Sequence, residues 1–226
     1  MKVLKLLAVA AASAAIAAPS FAEGLSFNIG VVSLYKSKGI DQDSRQDNDR
    51  KGFRPAIQGG VDYDFGNGFY IGNWNSTGKF GDANVEIDLY GGYAGQLTDM
   101  LSYDVGVVRY IYPGNNDEWN GNEVYASVTY GIVTAKVERG TSGSIKKHER
   151  FSLAVSQPLS DTLTLDAVMG FRNTSNDNSG ANDFGIGLTY DLGKGLSASA
   201  LLSGAQRSKA GEGGKNRLVL GVSQSF

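Results

Sequence analysis

From residue 24 to the C-terminus, apolar residues recur at every second position. Over 183–193, Phe184, Ile186, Leu188, Tyr190 and Leu192 alternate with Gly185, Gly187, Thr189 and Asp191. Leu25, Phe27, Ile29 and Val31 interleave with Ser26, Asn28 and Gly30, and Val85, Ile87 and Leu89 with Glu86 and Asp88. A period of two puts each set on its own face of a strand. Such runs predict about twelve strands. They fall at 24–38, 54–65, 69–77, 83–97, 100–112, 121–131, 132–140, 147–158, 161–173, 181–192, 196–208 and 215–226. The run 69–77 carries mixed residues on both faces, so the facing of Trp74 and Tyr90 stays open. With the soft junction near Gly131, the count stays open between about ten and fourteen.

The connections form a second pattern. Gly66-Asn67-Gly68, Thr98-Asp99, Ser160-Asp161 and Gly193-Lys194-Gly195 are tight hairpin turns. The stretches 40–53, 113–120, 141–146, 174–180 and 209–214 are longer and polar. Short and long connections therefore alternate, as in an outer-membrane barrel with periplasmic turns and outer loops. A soluble β-sandwich also alternates, but its polar faces meet water and its loops need not sort by parity. Here the polar faces are rich in Gly, Ser and Thr, and the chain ends on Phe226. The pattern predicts an all-β, antiparallel transmembrane barrel with the apolar face to lipid and the polar face to a lumen. An even strand number brings both termini to the periplasmic side. Phe65, Tyr93, Tyr103, Tyr130, Tyr190 and Phe226 are then expected as the inner aromatic girdle, and Tyr35, Phe151, Phe171 and Phe184 as the outer one.

Composition adjusts this picture at the N-terminus. Lys2 and Lys5 precede the apolar run 6–18, and Ser20-Phe21-Ala22 ends it. That is the pattern of a secretory signal, too short to span a membrane as a helix. The expected layout is a signal peptide at 1–22 and a barrel domain at 23–226. The 21 Lys+Arg and 23 Asp+Glu of the chain give a formal charge of −2, and loss of Lys2 and Lys5 makes it −4. No nucleic-acid footprint follows from such a charge. The chain has no cysteine. The mean hydropathy of −0.21 reads as soluble, but a barrel exposes only alternate residues to lipid.

One stretch goes beyond periodicity. It holds Ala56-Ile57-Gln58-Gly59-Gly60, then Gly68-Phe69-Tyr70, Gly72, Trp74 and Ser76, then Glu86, Asp88, Leu89, Tyr90, Gly92 and Tyr93. Asp104-Val105-Gly106, Tyr112-Pro113-Gly114 and Glu123-Val124-Tyr125 follow. These segments closely resemble the TorF family of porins, also called the Gcw proteins. Tyr35-Lys36-Ser37-Lys38-Gly39-Ile40 stands where that family has Y-x-x-R-G-I, with Lys38 replacing the arginine. The resemblance is strong from about Phe27 to Tyr130 and mainly one of pattern beyond. It implies an outer-membrane porin, and brings no defined substrate.

Enzymatic motifs are weak. The single histidine, His148, stands in Lys146-Lys147-His148-Glu149-Arg150 near a polar loop. A hydrolase using it with Ser152 or Ser144 ranks last, because no orienting partner is identifiable. The acidic stretch Asp41-Gln42-Asp43-Ser44-Arg45-Gln46-Asp47-Asn48-Asp49 lacks the EF-hand glycine and reads as a solvated outer loop. Gly211-Glu212-Gly213-Gly214-Lys215 is not a P-loop. No cofactor or metal site is expected.

The lumen remains. With the apolar set outward, Asp62, Asp64, Glu86, Asp88, Asp104, Glu138, Asp166 and Asp191 face inward, with Lys136, Arg172 and Arg217. Wall charges bias which ions pass, so the expected function is passive diffusion of small polar solutes or ions through a mildly acidic, cation-favouring lumen. The alternative is a closed structural or adhesive barrel with a salt-bridged interior and binding outer loops. The expected partners are outer-membrane lipid, the diffusing solutes, and the barrel assembly machinery through Phe226.

Overall fold

The computed structural model describes residues 23–43, 52–115, 119–174 and 180–226. The expected signal peptide and positions 44–49 of the acidic stretch lie outside them.

Twelve strands close into one antiparallel barrel. They are β1 (Gly24–Val32), β4 (Ala56–Asp64), β5 (Phe69–Phe80), β6 (Ala83–Thr98), β7 (Leu101–Ile111), β8 (Gly121–Tyr130), β9 (Val133–Gly143), β10 (His148–Pro158), β11 (Leu163–Thr174), β12 (Asp183–Gly193), β13 (Leu196–Ala205) and β14 (Arg217–Ser225). Each strand pairs with its sequence neighbour in the ring, and β1 closes the ring by pairing with both β4 and β14. Closure matters because a backbone amide left unpaired in hydrocarbon costs several kcal/mol. The seam is fastened at its end: Phe27 and Phe226 exchange backbone hydrogen bonds of 3.3 and 2.9 Å.

Alternation sets the two faces. Leu25, Phe27, Ile29 and Val31 point outward and are exposed, as are Ile57, Ile71, Val105, Val107, Leu153, Leu188 and Leu220. The junction at Gly131 is a tight turn between β8 and β9. The run 69–77 extends to residue 80 and its register is settled. Trp74 pairs with Gly60 and Asp88 on the inward face, while Asn73 and Asn75 face outward. These two amides bond each other, and also the carbonyls of Asp88 and Gly59. The six aromatics expected for the short-turn rim all project outward. Tyr63 and Phe65 pack edge to face at 4.9 Å, and Phe69 on Tyr93 at 4.8 Å. At the other rim Phe151 and Phe171 stack at 6.3 Å.

Loop parity has two exceptions at the long-loop end: β5 and β6 are joined by the tight turn at Gly81-Asp82, and β9 and β10 by residues 144–147, no longer than the connections 65–68 and 159–162. A larger departure lies after β1. The first strand ends at Val32, and the chain turns into the barrel. Tyr35, expected in the outer girdle, is instead 2% exposed and packs on Trp74 and Phe80. The parity of an outward residue did not hold there because the chain leaves the wall before reaching it. A small second sheet follows, β2 (Lys36–Ser37) and β3 (Ile40–Asp41). Its turn, Lys38-Gly39, has φ of +48° and +75°. Two left-handed residues in a two-residue loop match the twist of a hairpin. The start of the acidic stretch is likewise not a solvated loop. Asp41 is buried against Lys36 at 2.6 Å, and Asp43 accompanies the buried Arg54.

Candidate functional site: a divided lumen

Half of the lumen is filled. Tyr70, Tyr90 and Tyr125 form a buried cluster with Ala94 and Val108, and Trp74 and Tyr110 pack against it. Glycines make the room. Gly72 pairs with Tyr90, Gly92 with Tyr70, and Gly106 with Tyr125. At each of these glycines an added Cβ would collide with the tyrosine ring or hydroxyl. An aromatic ring lying over the glycine of the next strand covers bare backbone and pins register.

The tyrosines are also the hydrogen-bond donors of this wall. Tyr70 donates to Asp104 at 2.7 Å and Tyr110 to Glu123 at 3.0 Å. Tyr112 donates to Glu86 at 2.8 Å, and Tyr90 to Asp62. Each pair fixes a carboxylate that would otherwise be costly to desolvate.

The other half is open. Ser197, Ser199, Gly221, Ser223, Thr164 and Thr189 present small inward groups. They line a cavity of about 600 Å³ that also reaches Asp62, Asp88, Lys136 and Asp191. On the long-loop side lies a second space of about 210 Å³, bounded by Glu86, Tyr112, Trp119, His148, Arg150 and Arg172. Ser37, Lys38, Tyr110, Glu123 and Glu138 border both spaces. They form the partition between an inner and an outer vestibule.

The hairpin of β2 and β3 supplies the partition. Its base is anchored by Lys36, which is fully buried and bonds Asp41 together with the carbonyls of Gly213 and Lys215. Burial lowers the Lys36 ammonium from its ordinary range; the bond to Asp41 offsets part of this, and nearby Arg217 adds to it. At the tip, Lys38 reaches Glu123 at 3.1 Å and Glu138 at 3.2 Å. Burial pulls the Lys38 ammonium down, but Glu138 and Glu123 outweigh it, so its pKa stands above the ordinary value. Glu138 is shared further. Arg150 binds it at 2.8 Å and grips Asp183 with two bonds of 2.8 and 2.9 Å.

All eleven lumen candidates lie on the inward face. Asp64 and Asp191 stand at the short-turn rim, where each caps a turn glycine, Gly66 and Gly193, at 2.7 Å. Asp62, Asp88, Lys136 and Asp191 border the inner vestibule, and Glu86 and Arg172 the outer one. Asp104 belongs to the tyrosine-filled half, Glu138 to the partition, and Arg217 faces Asp41 at 3.5 Å. Sequence reasoning passed over Lys38, Glu123, Arg150 and Asp183. The last three share the strand parity of the residues that were chosen. His148 faces inward at the outer vestibule. Ser144 donates its hydroxyl to the Trp119 carbonyl at 2.8 Å, and Arg150 stands between His148 and Ser152 on the inward face of β10.

The fold and the lumen define a porin-like barrel. A KdgM porin superposes with a TM-score of 0.62 at 12% identity, covering 89% of this chain and 99% of that one. A KdgM porin in complex with disordered oligogalacturonate gives 0.60 at 10% identity, over 89% and 98%. A NanC porin gives 0.55 at 11% identity, over 90% and 99%. The chain belongs to the Gcw_chp family, described as bacterial proteins of unknown function, whose profile matches residues 16–225. No match was found among curated protein sequences.

Proposed function

We propose that this protein is an outer-membrane channel through which small polar solutes or ions diffuse passively. The observation that carries the reading is the eccentric lumen: one half packed with tyrosines, the other left as a polar cavity of about 600 Å³. A barrel serving only as a scaffold gains stability by packing its interior throughout, since voids forfeit dispersion contacts. In this reading residues 1–22 are the export signal, the mature chain starts at Glu23, and Phe226 is the terminal aromatic offered to the assembly machinery. The apolar band between the two aromatic rims meets lipid. Asp62, Asp88, Glu123, Glu138, Asp161 and Asp191 outnumber Lys38, Lys136 and Lys194 around the inner vestibule, which supports a modest preference for cations. The fold shared with KdgM and NanC porins supports a channel at the level of architecture.

Single-channel recording of refolded protein in planar bilayers tests the reading. Unitary steps are expected, with a reversal potential in asymmetric salt that favours cations. A second reading is favoured by one observation, the ion-paired hairpin crossing the lumen. In that reading the barrel is closed and its outer loops bind. Electrically silent bilayers carrying correctly folded protein would establish it and reject the channel.

A further inference from the structure

The lumen is polarised across its axis as well as along it. Asp62, Asp64, Glu86, Asp88, Asp104 and Glu123 point inward from β4, β6, β7 and β8. On those strands and on β5, no lysine or arginine faces the lumen: Arg109 points outward, and Lys79 sits at the rim with Asp82 and Asn84. Every inward base carried by a barrel strand lies on the other side of the ring: Lys136 on β9, Arg150 on β10, Arg172 on β11 and Arg217 on β14. Acids occur there too: Glu138 and Asp183 are both gripped by Arg150, and Asp166 on β11 and Asp191 on β12 lie toward the short-turn end, away from the outer vestibule.

The segregation is sharpest in the outer vestibule. Glu86 and Glu123 stand on one side, and Arg150, Arg172 and His148 on the other, with Lys38 bridging Glu123 to Glu138 and Arg150 holding Glu138. Glu86 is 3% exposed, and its Oε2 has no hydrogen-bond partner among the described residues. No carboxylate of the described residues comes within ion-pair distance of Arg172. β6 and β11 are five strands apart in the ring of twelve, so Glu86 and Arg172 stand on opposite sides of the space. Opposed charges on low-dielectric walls focus a field across the gap between them. A solute with one net charge is attracted by one wall and repelled by the other. A solute carrying both signs gains from both when it aligns.

We propose that the outer vestibule is an orienting site for small zwitterions of amino-acid to dipeptide size, which align their ammonium toward Glu86 and their carboxylate toward Arg172 before passing the Lys38 hairpin. The volume of about 210 Å³ suits such a molecule. Serial alignment at this point is also what a partition formed by a charged hairpin requires. A bulky neutral solute gains nothing from the field and must displace ordered water to pass.

The inference rests on the channel reading, and one experiment separates the two. Proteoliposome swelling is measured with four probes of similar size: glycylglycine (zwitterion), N-acetylglycinamide (neutral), N-acetylglycine (anion) and glycylglycinamide (cation). Glycylglycine is expected to enter about tenfold faster than N-acetylglycinamide at low ionic strength, with the advantage shrinking as salt screens the field. Glu86→Gln and Arg172→Gln should each remove most of that advantage while the neutral probe still enters. Heat-modifiable migration on gels confirms that each variant is folded. Rates ordered by size alone in the native protein overturn the orienting site and leave the channel intact. An advantage that survives both substitutions overturns its assignment to these residues. No swelling with any probe rejects the channel itself, and this inference with it.

Discussion

Lys38 Nζ lies 3.2 Å from Glu138 Oε1, although the segment carrying Lys38 leaves β1 and Glu138 stands on β9, six strands away in either direction round the ring. The contact therefore crosses the full width of the barrel. Removing this side chain should merge the two vestibules. Lys38→Ala is expected to raise unitary conductance roughly twofold, because the narrowest section sets the resistance of a pore. Bilayer recording checks it, and an unchanged step size would show that the hairpin does not limit flow.

The same ammonium gives a pH dependence. Its folded-state pKa is raised above the ordinary value of 10.5, against the pull of burial, by Glu138 and Glu123. A raised cation stabilises the fold fully below the unfolded value and loses that contribution as pH rises through the folded one. The clasp should thus hold through neutral and mildly alkaline solution. Conductance and thermal midpoint are expected to stay level up to about pH 10 as far as Lys38 governs them. Conductance should rise only beyond that, and Lys38→Ala should abolish the alkaline rise.

Arg150 joins two carboxylates in a site where all three side chains are nearly buried, at 9%, 6% and 2% exposure. Arg150→Met leaves Glu138 and Asp183 without this partner. Breaking a buried ion pair from one side costs about 3–5 kcal/mol. The midpoint of urea unfolding in detergent micelles should fall accordingly. Adding Asp183→Asn to the variant should recover part of the loss.

The fit of tyrosine over glycine is tight enough to test. Gly92→Ala places a methyl against the Tyr70 hydroxyl and the Val105 carbonyl. Overpacking of this kind costs about 1–3 kcal/mol. Moving Tyr70 also breaks its 2.7 Å bond to Asp104. Gly92→Ala with Tyr70→Phe relieves part of the collision, so the double variant is expected to be less destabilised than the sum of the two changes, as read by thermal melting.

Selectivity is addressed by neutralising inward acids. Asp88→Asn with Asp104→Asn should shift the reversal potential in asymmetric salt toward that of an unselective pore. A potential unmoved by both changes would assign the preference elsewhere.

How much of this was legible in the sequence depends on what each feature answers to. Lipid and lumen impose a period of two on every wall residue, so Asp62, Glu86 and Arg172 could be placed inward by parity alone. Glu123, Arg150 and Asp183 carried the same parity signal, but they stand near strand ends, where alternation fades into loop composition. Tyr35 misled for a different reason. It continues the odd-numbered apolar set from Leu25 to Val31, so parity cannot see the chain leave the wall at Ser33. The only local mark of that departure is Lys38-Gly39, a two-residue turn signal at the end of what reads as one strand. The partnership of Lys38 with Glu123 and Glu138 spans the ring, and nothing in local sequence encodes a distance of that kind. The glycines of the polar face were visible, but their tyrosines were not, because the match needs the register of β5 against β6 and of β7 against β8.

The pairing of β1 with β14 carries a consequence for assembly. Without residues 217–225 the sheet has two raw margins, at β1 and β13, and the segment carrying the hairpin hangs from one of them. The seam that shuts the cylinder is thus also the place where the stopper is attached, so a chain shortened at its tail loses the wall on one flank of that attachment.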